Sequence, residues 1–418
     1  MHQGRRNFRA AWLSLFTTAM GLMAFLPVLA LYIEEEFEIA DPQQVAMWAA
    51  LIFGAGPFTA ACMGPIWGAL GDRFGKKRMA VRANIAIAVT TACMPLAPSP
   101  LWLLAIRVVQ GMFAGYVAPV MALGTGKLPR YVHGRIIARL QTAMALGTLL
   151  GPLLGAEITG LFGRSALFWV ASSFSLLSGI WLHVRAVDLP PLPAARLHSF
   201  FGGFWLACKS MLGNRVLAIL LLMMMVLRLG QHVFEPMVSL FVRELGPQSV
   251  LLAVSASESL AIDRTIALAF GVLAIAQWFC TPIWGRMADR HGPLRCLIVL
   301  SFSLAVVQSL TALVANIDQF LLMRCACACA MAGSMTLAFA AMSKRVPDEH
   351  RTLAFALVQS CIQFGLALGP LLGAFVVQGD APGEDPDFRF AFLVGGLLCG
   401  AAGLGMLLLR RVERRPAS

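Results

Sequence analysis

Charge is what this sequence has least of. Asp, Glu, Lys and Arg make up 13% of its 418 residues, against 59% hydrophobic residues. Soluble domains carry roughly a quarter charged residues, so a water-exposed globule is excluded. Catalytic signatures are missing as well. There is no GxxxxGK[ST] phosphate loop, no HExxH and no GxSxG. ATP is therefore not an energy source acting through this chain, and an enzyme is not expected. Ten cysteines are present, nearly all inside apolar segments. Cys325, Cys327 and Cys329 stand two apart, which splays them around a helix, so they read as small buried residues. No disulfide framework and no metal site follow from them.

What is present is length and apolarity. A bilayer crossing takes roughly 20 apolar residues, and twelve stretches reach about that length: 10–33, 46–70, 79–97, 101–123, 138–161, 166–183, 215–242, 265–285, 296–314, 319–342, 352–378 and 388–409. The expected fold class is an all-α polytopic membrane protein. The first run is too long for a signal peptide and reads as an uncleaved first span. Pro27, Pro57, Pro119 and Pro236 mark candidate bends. The net charge of +12 would fit nucleic acid, but its distribution argues otherwise, because the basic residues sit in short loops. Only Arg164, Arg243, Arg264 and Arg389 fall on the outer side if both termini are cytoplasmic, and Arg107, Arg228 and Arg324 fall inside spans. The other 26 of the 33 Lys and Arg face inward, which places both termini in the cytoplasm of a cell inner (plasma) membrane protein.

The chain repeats itself at half its length. Residues 65–78 read PIWGALGDRFGKKR and residues 282–295 read PIWGRMADRHGPLR. The offset is 217, pairing Trp67 with Trp284, Asp72 with Asp289, Arg73 with Arg290 and Gly75 with Gly292. Such a repeat in an apolar chain predicts two six-helix bundles, 1–184 and 214–418, joined by a cytoplasmic linker over 185–213. That linker opens with a Pro-rich stretch, and 200–212 fits either a surface helix or a plain tether.

Four constellations carry candidate mechanism. Gly68, Asp72, Arg73, Gly75, Lys76, Lys77 and Arg78, with Asp289 and Arg290 in the second copy, form a candidate gating loop. Gly68 and Gly75 would allow a tight turn there, and Asp72 would pair with Arg as a breakable latch. Arg107 and its counterpart Arg324 are ionisable groups inside spans, which normally face the protein interior. Gln110 shares a face with Arg107. Gly147, Gly151 and Gly155, with Pro152, make a smooth helix face. Gly365, Gly369 and Gly373, with Pro370, make its echo, and both predict close helix packing. Glu157 and Glu235 are candidate proton-exchanging carboxylates. Arg228, Gln231 and Glu235 share one helical face, so Glu235 exchanges protons, pairs with Arg228 or sits near the outer headgroups. His232 reads as a satisfied polar residue. Gln141, Gln359 and Gln363 join Arg228 and Gln231 as candidate cavity residues.

These motifs resemble those of the major facilitator superfamily. GALGDRFGKKR from Gly68 is similar to its loop signature, and Arg107 with Gln110 and Gly111 resembles its fourth-helix motif. Gly147, Gly151, Pro152 and Gly155 resemble the fifth-helix motif of its twelve-helix drug:proton antiporter family, and residues 47–82 look most like the MdtG type of multidrug exporter. The resemblance implies two six-helix bundles rocking about a central site, with Asp72 stabilising one state and Arg107 in proton coupling. It implies export of amphipathic small molecules in exchange for protons. An importer or uniporter of one metabolite on the same fold is the alternative. The expected partners are a small-molecule substrate, protons and the lipid bilayer, with no nucleic acid and no cofactor, in a monomer. The first span has no carboxylate, and Thr17 and Thr18 are its polar candidates. That points away from cationic substrates, and three in-span Arg against two Glu point toward neutral or anionic ones.

Overall fold

A computed structural model describes residues 2–126, 133–188, 213–346, 351–377 and 387–413. Within those ranges the surroundings of some residues, including Gly68, Asp72 and Arg73, lie outside the described ones. So does most of the linker, with the stretch 200–212.

Among the described residues there is no strand. Twelve helices among the described residues are long and apolar enough to cross a membrane. Spans 1–6 are Gln3–Glu36, Pro42–Gly64, Lys76–Leu96, Pro100–Thr125, Arg139–Phe162 and Ser165–Arg185. Spans 7–12 are Arg215–Leu245, Glu258–His291, Pro293–Thr311, Ile317–Ser343, Leu357–Val376 and Phe388–Arg411. Helix is the form that satisfies every backbone N–H and C=O where water is absent, and the multi-pass architecture follows.

The repeated motif is helical for most of its length. The helix of span 2 continues to Phe74, and span 3 starts at Lys76. The chain turns at Gly75 alone, with φ +99°, and Gly292 repeats this with φ +87°. An L side chain is strained there. Gly68, expected to help the turn, lies inside the helix instead. The two tryptophans of the repeat also match. Trp67 donates its indole N–H to the Met112 carbonyl at 2.6 Å, and Trp284 donates to Cys329 at 2.8 Å.

Prolines act unevenly. Pro27 and Pro236 each sit in a single 3-10 turn that interrupts a span, as a missing N–H demands. Pro57 lies inside a continuous helix.

The chain forms two compact units. The first comprises Met1–Ala40, Thr59–His198 and Pro247–Ala274, and the second Asp41–Phe58, Ser199–Gly246 and Ile275–Ser418. Compared with a division at the linker, the segments 41–58 and 247–274 have changed sides. The packing explains it. A methyl on Gly54 would collide with the Ala367 carbonyl, and Phe58 meets Phe364 edge-on at 5.7 Å. Both contacts tie the start of span 2 to span 11. In the first unit, a methyl on Gly160 would lie 2.6 Å from Leu260, so the start of span 8 rests on the end of span 5.

The first unit is stapled at one end by its N-terminus. The Asn7 amide donates to the Val187 carbonyl and accepts from the Val187 N–H, both at 2.8 Å, while Arg6 donates to the Arg185 carbonyl at 2.7 Å.

Candidate functional site

The glycine stripes set the distance at which the polar groups meet. In the first unit, a methyl on Gly147 would lie 2.5 Å from the Phe16 carbonyl oxygen, one on Gly151 2.6 Å from that of Met20, and one on Gly155 would strike that of Ala24. Span 5 therefore packs backbone to backbone on span 1. In the second unit a methyl on Gly365 would lie 2.6 Å from Arg228 Cβ, one on Gly369 2.7 Å from the Leu229 carbonyl oxygen, and one on Gly373 would strike that of Val233. Span 11 thus packs on span 7 in the same way. Pro152 and Pro370 are buried beside these contacts.

The matched contacts superimpose Ala24 on Val233, an offset of 209, which puts Pro27 on Pro236 and Leu26 on Glu235. A carboxylate therefore occupies one of two equivalent positions, in the second unit. Pro236 breaks span 7 there. The helix from Arg215 ends at His232, and a 3-10 turn runs over Glu235–Met237. Glu235 leaves the helical face of Arg228 for this reason. Of the alternatives open to Glu235, pairing with Arg228 is not the contact that forms. Arg324 of span 10 reaches Glu235 with both terminal nitrogens, at 3.1 and 3.4 Å. Arg324 is 7% exposed. A charge pair this buried is held by mutual attraction against the cost of leaving water.

Arg228 instead donates to Gln231 one turn on, at 2.9 Å. Gln231 Nε2 and His232 Nδ1 are buried without a hydrogen-bond partner among the described residues. His232 is thus not the fully satisfied residue expected. Gln308 donates to the Gly230 carbonyl at 3.1 Å, bringing span 9 to the same turn. The second unit so gathers two arginines, a carboxylate, a histidine and two amides around the broken part of span 7.

In the first unit, Arg107 is 5% exposed and Gln110 3%. Arg107 donates to the Gln110 side-chain oxygen at 2.5 Å, and Gln110 donates to Thr91 Oγ1 of span 3 at 2.8 Å. The Arg107 guanidinium also stands 6.0 Å over the Phe25 ring of span 1. Arg107 and Arg324 repeat in place and in burial, yet Gln110 has Cys327 as its counterpart, so the two arginines engage different groups.

The polar residues of span 1 are committed to packing. Thr18 Oγ1 lies 2.7 Å from Asn84 Oδ1 and 2.9 Å from Ser178 Oγ, and the Ser14 and Ser178 hydroxyls share a bond of 2.7 Å. Thr17 donates back to the Leu13 carbonyl. This buried cluster joins spans 1, 3 and 6. Ser14, Asn84 and Ser178 were absent from the sequence-based candidates because small hydroxyls and a lone amide inside apolar runs carry no spacing signal.

Glu157 is placed differently from the expected buried carboxylate. Its side chain is 53% exposed and takes two hydrogen bonds from Arg264, at 2.8 and 2.9 Å. Arg264, expected in a loop, belongs to the helix that begins at Glu258. Its neighbour Asp263 is 2% exposed and accepts from Arg164 at 3.1 Å, and Arg164 also pairs with Glu35. Asp289 and Arg290 are exposed, as is Gln141, while Gln359 and Gln363 are half-buried. Lys76 and Lys77 are half-buried and Arg78 is exposed at the start of span 3.

Against known proteins, the sequence matches the family model of the Major Facilitator Superfamily over residues 11–262 and 248–418. It is 27% identical to the multi-drug resistance efflux pump PmrA of Streptococcus pneumoniae over 374 residues, 88% of this chain and 89% of that one. It is also 27% identical to the multidrug resistance protein MdtG of Yersinia enterocolitica over 379 residues, 89% and 86% of the two chains. The fold is similar to that of the nucleoside transporter NupG, with a TM-score of 0.75, 11% identity and full coverage of both chains.

Proposed function

The chain belongs to the major facilitator superfamily, and on that premise we propose that it exports amphipathic small molecules in exchange for protons, by alternating access. It is a transporter and not an enzyme. The observation that carries the coupled reading is the buried ion pair between Glu235 and Arg324. A proton on Glu235 cancels its charge and weakens the pair, while loss of that proton restores it. Such a group converts proton occupancy into a change of helix contact between spans 7 and 10. The names of the relatives in Streptococcus and Yersinia support the export direction.

In this reading the two halves of the repeat, 1–184 and 214–418, rock about a central site, which opens to one side of the membrane and then the other. Arg107 and Gln110 act with the Glu235 pair in coupling. Arg228, Gln231 and His232 offer hydrogen-bonding groups to the substrate, and two arginines beside one carboxylate favour neutral or anionic compounds. Gln141, Gln359 and Gln363 extend that surface. The loop residues Asp72, Arg73, Lys76, Lys77 and Arg78, with Asp289 and Arg290, gate the basic side. The basic-loop count supports both termini in the cytoplasm and an inner-membrane location. The protein works as a monomer.

The test is purified protein in vesicles with an imposed pH gradient and a fluorescent amphipathic anion. The expected result is gradient-driven accumulation that Glu235→Gln removes. Accumulation indifferent to the gradient overturns the coupling. A second reading, uptake of one metabolite, is favoured by the resemblance in fold to a nucleoside transporter. Saturable uptake of a single nutrient with no efflux of varied toxins would establish it.

A further inference from the structure

A furrow of about 810 Å³ runs along the first unit, away from the polar groups described above. One end is cationic, lined by Lys77, Arg78, Arg82 and His183, with Asp188 beside them. The rest is apolar, walled by Val81, Ile85, Val89 and Phe113. Ile85 is 43% exposed and Val89 55%. Large apolar side chains exposed on a membrane span face acyl chains, not water. The furrow therefore has the polarity of a phospholipid, a charged end followed by a greasy track.

The head of the furrow is rich in cations. A helix start disfavours cations, yet the first turn of span 3 carries Lys76, Lys77 and Arg78 and no acid. Asp188 accepts the Lys77 backbone N–H at 3.0 Å and lies against Gly75, so it helps fix the turn at this end. Arg82 is held in place from two sides. Its guanidinium stacks 3.4 Å over the Trp67 ring, and it donates to the Phe113 carbonyl at 3.3 Å. Its Nε and Nη1 are nevertheless buried without a hydrogen-bond partner among the described residues. A fixed guanidinium with unmet donors is built for a phosphate oxygen.

We propose that this furrow binds an anionic phospholipid from the leaflet that the basic loops face, with its phosphate on Arg82, Arg78 and Lys77 and an acyl chain along Ile85 and Val89. The bound lipid bridges the turn at Gly75 to spans 3 and 6, so occupancy stiffens the repeated motif.

The experiment reconstitutes the protein in bilayers of phosphatidylcholine alone or with phosphatidylglycerol in equal parts, and quantifies by mass spectrometry the lipid that stays bound on extraction. Phosphatidylglycerol should be retained over phosphatidylcholine. Arg82→Gln and Arg78→Gln should each lower its affinity about five-fold, the effect of one basic residue at an anionic surface. Val89→Trp, which fills the track and leaves the charges, should lower retention too. Inorganic phosphate should not displace the lipid. Equal retention of the two lipids, wild-type binding by both arginine variants, unchanged retention in Val89→Trp, or full displacement by phosphate would each overturn the proposal. Because Arg82 also packs on Trp67, the exposed Arg78 and Val89 variants keep the test decisive if Arg82→Gln folds poorly.

Discussion

Arg324 grips Glu235 with two nitrogens across spans 10 and 7, at 3.1 and 3.4 Å. Glu235→Gln should keep the shape and lose the charge. Gradient-driven transport in vesicles should fall to background, while exchange of substrate without a gradient persists. Glu235→Ala leaves the buried Arg324 without its counter-charge and should cost about 3 kcal/mol, read as a lowered melting temperature in detergent. The double variant Glu235→Ala with Arg324→Ala should recover part of that stability and none of the coupling. A coupled Glu235→Gln protein would refute the assignment.

Gly151 and Gly369 lie at backbone contact with their neighbours, at 2.6 Å from Met20 and 2.7 Å from Leu229 for an added methyl. Gly64 and Gly285 have open space around theirs. Gly151→Ala and Gly369→Ala should each cost about 1–3 kcal/mol through forced separation of the helices. Gly64→Ala and Gly285→Ala should be neutral or stabilising by about 0.5 kcal/mol. Thermal unfolding of the four variants side by side checks the contrast.

These two cases also mark what was legible beforehand. A four-residue glycine spacing is helical geometry written directly into sequence, so the stripe and its packing role could be read. The offset of 217 was equally plain, and Trp67 and Trp284 honour it with the same hydrogen bond. The partner of Glu235 could not be read, because the face shared with Arg228 assumes an unbroken helix and Pro236 breaks it. Asp263 was hidden by its surroundings. Glu258, Asp263 and Arg264 made that stretch look like a loop, whereas pairing with Arg164 and Glu157 lets Asp263 and Arg264 sit in a helix. Glu157 was misplaced because helical periodicity does not tell an inward face from an outward one.

Gly75 and Gly292 separate two sources of strain. Both hold positive φ, at +99° and +87°. A methyl on Gly75 would also lie 2.5 Å from the Asp188 carboxylate, whereas one on Gly292 meets open space. Gly292→Ala should cost only the backbone penalty, about 1 kcal/mol. Gly75→Ala should cost more, and pairing it with Asp188→Gly should bring it back toward the Gly292→Ala value. Melting temperatures of the three proteins decide it. Equal losses at the two glycines would remove Asp188 from the account.

Asp263 and Arg264 are adjacent on span 8 and both reach back within the first unit, yet their surroundings differ. Asp263 is 2% exposed against Arg164, while Glu157 offers Arg264 a side chain 53% exposed. Solvent screens the second pair, and exposed pairs contribute little. Glu157→Gln should leave both the melting temperature and gradient-driven transport at wild-type levels, which would also take Glu157 out of proton coupling. Asp263→Ala leaves the mostly buried Arg164 facing the exposed Glu35, and should cost about 3 kcal/mol. Loss of coupling in Glu157→Gln would mean that this carboxylate is reached by protons in the transport cycle and that its exposed placement belongs to one state of it.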